Sequence, residues 1–260
     1  MKLNRDVALV VLVLVCLGLI ACGACSAPIE PSTTGEAKAA VVDQLYALRP
    51  NETFTNEITQ ELGKIGYKVD VYRGDAVTVD LYRKLPSYGY GIIIFRVHSG
   101  LLGVDPKVSG KTWLFTSEVY STTKHVSEQL SDQVTYAKTS DDAPWVFAIC
   151  DKFIAQSMEG QFNNTAIIMM GCDCLHFEDL ARAFIQKGAS AYLAWDVSVT
   201  LDYVDDATLA LIKKLCSEDL TIEVAVAQTM KEKGPDPKYG AVLKYYPPES
   251  GNKTLKQLLK

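Results

Sequence analysis

The chain has 260 residues, 48% hydrophobic and 22% charged, which is ordinary globular composition and gives no sign of disorder. Its net charge of -5 comes with no Lys/Arg-rich run or basic face, which argues against a nucleic-acid partner. The length allows one large α/β domain or two small ones.

At the N-terminus, Lys2 and Arg5 precede an uncharged apolar run that begins at Val7 and closes on Leu19-Ile20-Ala21-Cys22. A basic start, an apolar run and small residues before a cleavage point are the marks of an export signal, here residues 1–26. The four closing residues resemble a bacterial lipobox, which implies cleavage before Cys22 and lipidation of its thiol. An uncleaved anchor is the alternative, because residues 7–27 make an uncharged run of about 21 residues, long enough to span a bilayer. Either way the folded part is expected outside the cytoplasm and beside a membrane. Residues 27–38, with Pro28, Pro31 and Gly35, read as a polar tether. Asn51, Asn163 and Asn252 each open a glycosylation-type triplet.

The domain, 39–246, opens with a strand over 39–46 and a helix over 54–65, capped by Thr55 or Asn56 and stopped by Gly66. Residues 67–72, YKVDVY, alternate and predict a strand near a sheet edge. Val77, Leu81 and Leu85 predict a helix over 75–85, ending before Pro86. Residues 92–97 predict a buried strand. Strand, helix, strand, helix, strand is the order of right-handed parallel crossovers. Residues 103–160 loosen into an insertion, a small antiparallel arm with strands over 113–120 and 145–150. Regularity resumes with a continuous apolar run, Thr165 to Met170, then a helix over 177–187, a strand over 189–195, helices over 201–216 and 222–233, and a last strand over 240–246. Residues 247–260 read as a polar tail. The sum is an α/β fold: a three-layer α/β/α sandwich with a mostly parallel central sheet of about six strands.

The two most apolar strands end in His98 and in Cys172. Carboxyl ends of central strands are where open α/β sheets collect ligands and chemistry, and a following helix N-terminus would favour a thiolate. A thiol attacks a carbonyl as thiolate, and an adjacent imidazole can take its proton, so this pair suits nucleophilic catalysis. Gly171 would let backbone approach, and amides near Cys172 and Gly100 would face an oxyanion. The bland reading is a hydrogen-bonded histidine and a buried or disulfide-linked sulfur, since Cys150, Cys172, Cys174 and Cys216 allow two disulfides in an exported domain. Cys172, Cys174 and His176 form C-x-C-x-H, but no second ligand pair lies nearby, so no metal is expected. His125 reads as a solvated surface residue, and Trp195 as a cleft wall or simply core.

An apolar strand ending in His98-Ser99-Gly100 and another ending in Gly171-Cys172-Asp173 resemble the caspase-like cysteine peptidases of clan CD: caspases, legumains, gingipains, clostripains, separases and the related CHAT domains. The stretch from Asp179 to Leu215 is similar to the CHAT and gingipain-type pattern of a helix, Lys187-Gly188-Ala189, a strand ending at Trp195, then an acidic turn and helix. The resemblance covers roughly residues 39–246. It implies Cys172 as nucleophile, His98 as proton carrier, and peptide-bond hydrolysis through an acyl-enzyme. Two positions depart from the pattern. Ser99 intervenes before Gly100, and Met170 stands where several members carry a polar residue that shapes the primary specificity pocket. A thioether cannot pair a charged substrate side chain, so that task would fall to Asp173, Asp196 or Asp151.

The expectation is therefore an exported, membrane-tethered cysteine endopeptidase without metal or organic cofactor, acting on peptide or protein. The alternative is a non-catalytic module of the same fold that binds partners through the insertion. A flavodoxin-like nucleotide binder ranks last, because no Gly-rich phosphate loop follows the first strand.

Overall fold

Side-chain alternation along the central strands divides the core in two. The computed structural model describes residues 36–101 and 110–259. The export signal, the lipobox with Cys22 and most of the tether lie outside the described residues, as do positions 102–109 of the insertion. Among the described residues no helix is long and apolar enough to cross a membrane.

The main sheet contains β1 (Lys38–Asp43), β2 (Lys68–Arg73), β3 (Ile92–Arg96), β8 (Thr165–Met169), β9 (Ala189–Trp195) and β10 (Leu243–Tyr246) in the order β10-β9-β8-β3-β1-β2. Only β10 runs antiparallel, against β9 at one edge; the other pairings are parallel. Ile93, Phe95, Ile167 and Met169 point to one face, under α2 (Val79–Lys84), α4 (Asp151–Gln156) and α5 (Asp179–Gln186). Ile92, Ile94, Ala166 and Ile168 point to the other, under α1 (Glu52–Lys64), α6 (Leu201–Cys216), α7 (Ile222–Lys233) and α8 (Leu255–Leu258). Both faces of β3 and β8 are thus covered, which is why their sequences are apolar apart from Arg96 and Thr165. The expected three-layer α/β/α sandwich is the observed architecture.

The insertion forms a second, antiparallel sheet in the order β4-β5-β7-β6, from β4 (Ser99–Leu101), β5 (Thr112–Val119), β6 (Val134–Ala137) and β7 (Val146–Ile149). The short α3 (Val126–Leu130) links β5 to β6. This sheet starts directly after His98, earlier than the sequence pattern indicated. Its Leu114, Phe147 and Ile149 join the apolar layer of α2, α4 and α5, so the insertion extends the core as well as flanking it.

Boundaries differ from expectation where polar side chains act. β1 stops at Asp43, and a 3₁₀ turn, Gln44–Ala47, follows. The cap of α1 is Asn51, whose side chain accepts from the Phe54 amide at 3.0 Å, so the helix begins ahead of Thr55. Asn51 also donates to Asp205 at 2.9 Å, which commits this amide to the fold rather than to a glycan. Thr78 caps α2 and shortens it, after a 3₁₀ turn over Gly74–Ala76. The expected polar tail instead includes α8, with Leu255 and Leu258 buried in the core.

Candidate functional site

The two strand ends meet on one edge. β3 and β8 are parallel neighbours, with Phe95 opposite Met169, and the Met170 amide donates to the Phe95 carbonyl at 2.9 Å. His98 and Cys172 follow those paired residues at the same remove, so both emerge from adjacent strands at the carboxyl edge. Ser99 fastens them: its hydroxyl donates to the Cys172 carbonyl at 2.6 Å and accepts from the Cys174 thiol at 3.1 Å. The strand ends lie so close that a Cβ on Gly171 would stand 2.1 Å from Ser99 Oγ and 3.0 Å from the Val97 carbonyl oxygen. Glycine at 171 is thus a steric requirement. Gly100 is different. It lies in β4 opposite Trp113, and a Cβ there would meet open space.

His98 is fixed through its backbone. Its amide donates to Gln44 Oε1 at 2.9 Å and its carbonyl accepts from the Phe115 amide at 2.9 Å. Neither ring nitrogen has a hydrogen-bond partner among the described residues, and burial, with the positive charge of Arg96 added, holds the imidazole below its ordinary pKa. The Cys172 thiol lies against Val199, whose amide donates to Sγ at 3.4 Å and whose carbonyl lies 3.6 Å from it. Burial pushes this thiol above its ordinary range, the Val199 amide opposes, and the charge of Asp173 adds to the rise. At neutral pH the site therefore holds a neutral imidazole and a neutral thiol.

That corrects the expectation of an easily formed thiolate. α5 begins at Asp179, after a turn, so Cys172 is not in a helix's first turn and gains nothing from a macrodipole. The Cys172 amide has no acceptor among the described residues, which leaves it available to an oxyanion.

The loop after β9 shapes the thiol's side of the site. Asp173 adopts a left-handed backbone (φ 58°) and accepts from Ser198 Oγ at 3.1 Å, while burial raises its carboxyl pKa. Asp236 is buried and accepts from the Thr200 amide at 2.9 Å, the Thr200 hydroxyl at 2.6 Å, and the amides of Lys238 and Tyr239 at 2.9 and 2.7 Å. It thereby fixes the residue next to Val199.

Other sequence candidates lie elsewhere. Met170 and Trp195 are 2% and 1% exposed and belong to the apolar layer under α6 and α7, so both are core side chains. Asp196 accepts from the Val242 amide at 2.8 Å and pairs with Lys244 at 2.9 Å; burial raises its pKa, but these partners outweigh it and the net shift is downward. Asp151 opens α4 and faces Lys111 at 3.6 Å. The C-x-C-x-H side chains diverge: Cys174 is buried on Ser99, and His176 Nδ1 lies 3.1 Å from the Asp196 carbonyl. Cys150, Cys172, Cys174 and Cys216 are all free thiols, and only Cys172 is not buried. His125, read as solvated, is instead mostly covered and sits 3.2 Å from Glu118.

Sequence reasoning missed the buried ion cluster just upstream of His98. Arg96, 1% exposed, forks onto both Asp205 oxygens at 2.8 and 2.9 Å and donates to Asp43 at 2.9 Å and to the Arg49 carbonyl at 3.0 Å. Burial disfavours the guanidinium's charge, but the two aspartates outweigh it and raise its pKa. An arginine inside the run Ile92 to Val97 was the available signal, since a charge in a strand covered on both faces needs a partner. Neither protein-family models nor curated proteins provide a match to this chain.

Proposed function

We propose that the chain is a cysteine endopeptidase of caspase-like type, exported and held at a membrane by its N-terminal segment. The observation that carries this reading is the bolted edge: Ser99 Oγ on the Cys172 carbonyl at 2.6 Å, joining the one thiol among the described residues that is not buried to the strand end that carries His98. A nucleophile and a proton carrier on neighbouring rigid strands need no loop to bring them together.

The resting state sets the order of events. Sγ leaves the Val199 backbone and attacks the scissile carbonyl carbon as its proton passes to the neutral His98 imidazole. The Cys172 amide receives the developing oxyanion. The C–N bond then breaks while His98 returns that proton to the departing amine. Water, with His98 as base, hydrolyses the thioester and restores the thiol. The reaction so written requires no metal or organic cofactor.

The test is cleavage of a mixed peptide library by the reduced protein, beside Cys172→Ala and His98→Ala. Cleavage lost in both variants supports the dyad. A folded wild type that cuts nothing and labels no faster at Cys172 than at Cys150 or Cys216 overturns it, in favour of the non-catalytic binding module.

A further inference from the structure

A cavity of about 190 Å³ lies at the carboxyl ends of β1 and β2, on the far side of His98 from Cys172. Its apolar lining is Ala47, Leu48, Val119, Ala143, Pro144 and Val146, contributed by the turn after β1 and by the small sheet. Leu48 and Val119 remain 52% and 63% exposed, so the cavity's apolar rim faces solvent. The volume suits one aliphatic or aromatic side chain and is below the ~300 Å³ at which drug-sized ligand sites begin. One wall is Gln44, the same side chain whose Oε1 holds the His98 amide at 2.9 Å, so the cavity and the candidate site share that residue.

Strand order supplies a direction. Along the carboxyl edge the sequence is β1, β3, β8, that is, cavity, His98, Cys172. In peptide hydrolysis the histidine protonates the departing amine, so the half of the substrate that leaves first lies on the histidine's side of the thiol. Neighbouring strands are ~4.8 Å apart and an extended peptide advances ~3.3 Å per residue, so crossing from the end of β8 to the end of β1 takes about three residues.

We propose that this cavity is a specificity subsite for a large apolar side chain, Leu or Phe, at the second or third residue after the scissile bond. The inference rests on the peptidase reading above and assigns it a preference on the leaving side of the substrate. No acidic or basic group is needed for it, and the Asp75 carboxylate at the cavity's edge disfavours an acidic side chain there.

The experiment uses peptides that share one cleavable sequence and differ only at those two positions, carrying Leu, Phe, Ala or Asp. It also uses an aminocoumarin amide of the same acyl half, which has no leaving peptide. The wild-type protein should cleave the Leu and Phe peptides with kcat/KM roughly 10- to 100-fold above the Asp peptides. In Ala143→Phe, which fills the cavity, and in Leu48→Asp, which alters an exposed rim position, that ratio should fall towards one while aminocoumarin release stays within about twofold of wild type. Aminocoumarin release without any leaving-side preference, or a preference that survives both substitutions, overturns the subsite and leaves the peptidase reading standing. No release from either substrate by folded protein overturns the peptidase reading, and the subsite with it.

Discussion

Replacing Gly171 by alanine should destabilise the domain through one identifiable collision. The new Cβ would lie 2.1 Å from Ser99 Oγ, 3.0 Å from Ser99 Cβ and 3.0 Å from the Val97 carbonyl oxygen. Ser99 cannot yield without giving up its 2.6 Å bond to the Cys172 carbonyl, and Cys174 would lose its acceptor. Overpacking costs about 1–3 kcal/mol and a lost hydrogen bond about 1 kcal/mol, against a gain of about 0.5 kcal/mol from a stiffer unfolded chain. The net expectation for Gly171→Ala is a loss of about 2–3 kcal/mol. Ser99→Gly removes the colliding hydroxymethyl group and should itself cost about 1–2 kcal/mol. In the double variant the principal clash is gone, so its stability should lie near that of Ser99→Gly alone, a coupling of at least about 1 kcal/mol. Equilibrium urea unfolding of the four proteins measures this cycle. Gly171→Ala within about 0.5 kcal/mol of wild type, or strict additivity, would refute the packing argument.

Three further outcomes follow from the same geometry. Under native conditions iodoacetamide should modify Cys172 well before the other three domain thiols; Cys150 and Cys216 are buried, with pKa values pushed up to about 11 and about 12, and peptide mass mapping against time reads the order. Asp205→Ala should destabilise by about 3–5 kcal/mol, because it removes two of the four hydrogen bonds of a buried guanidinium and one of its two counter-charges, whereas replacing Arg96, Asp43 and Asp205 together by apolar residues should cost much less; thermal and urea unfolding decide. For pH, the folded His98 lies below its ordinary value, so the unfolded chain takes up the proton first as pH falls. The stability contributed by this neutral imidazole is complete above about pH 6.5 and declines below it towards the lowered folded value, a decline that His98→Asn should lack in pH-dependent urea midpoints.

The sheet was legible because β3 and β8 are apolar on both faces except at Arg96 and Thr165, and that apolarity is caused directly by helices on both sides. Element ends were less legible. Asp43 closes β1 because its carboxylate turns to Arg96 opposite it in register, and nothing local to residues 39–46 announces so distant a partner. The antiparallel direction of β10 is equally invisible, since an edge strand of four residues has the same composition either way. At the site, His98 and Cys172 could be named from the strand ends that bear them. Their protonation states could not, because these depend on the burial around each and on a turn, rather than a helix, following Cys172. Met170 and Trp195 were drawn to the cleft by their place in sequence, but strand alternation sends both into the layer beneath it. Ser99 appeared only as an interruption before Gly100, and its function as a fastener needs Gly171 alongside it in space.

The ion cluster around Arg96 makes the two halves of the cleft mechanically unequal. On the histidine's side, moving the ends of β1 and β3 or the start of α6 apart would expose charges held by four hydrogen bonds to one guanidinium. On the cysteine's side, the thiol is held only by a weak pair of contacts to Val199, and the loop that supplies them is fixed through Asp236. The thiol's own two contacts are therefore the first to give, while His98 stays registered to the sheet. Shifting the thiol costs two weak contacts to Val199, whereas shifting the histidine's strand costs the four bonds of a buried guanidinium.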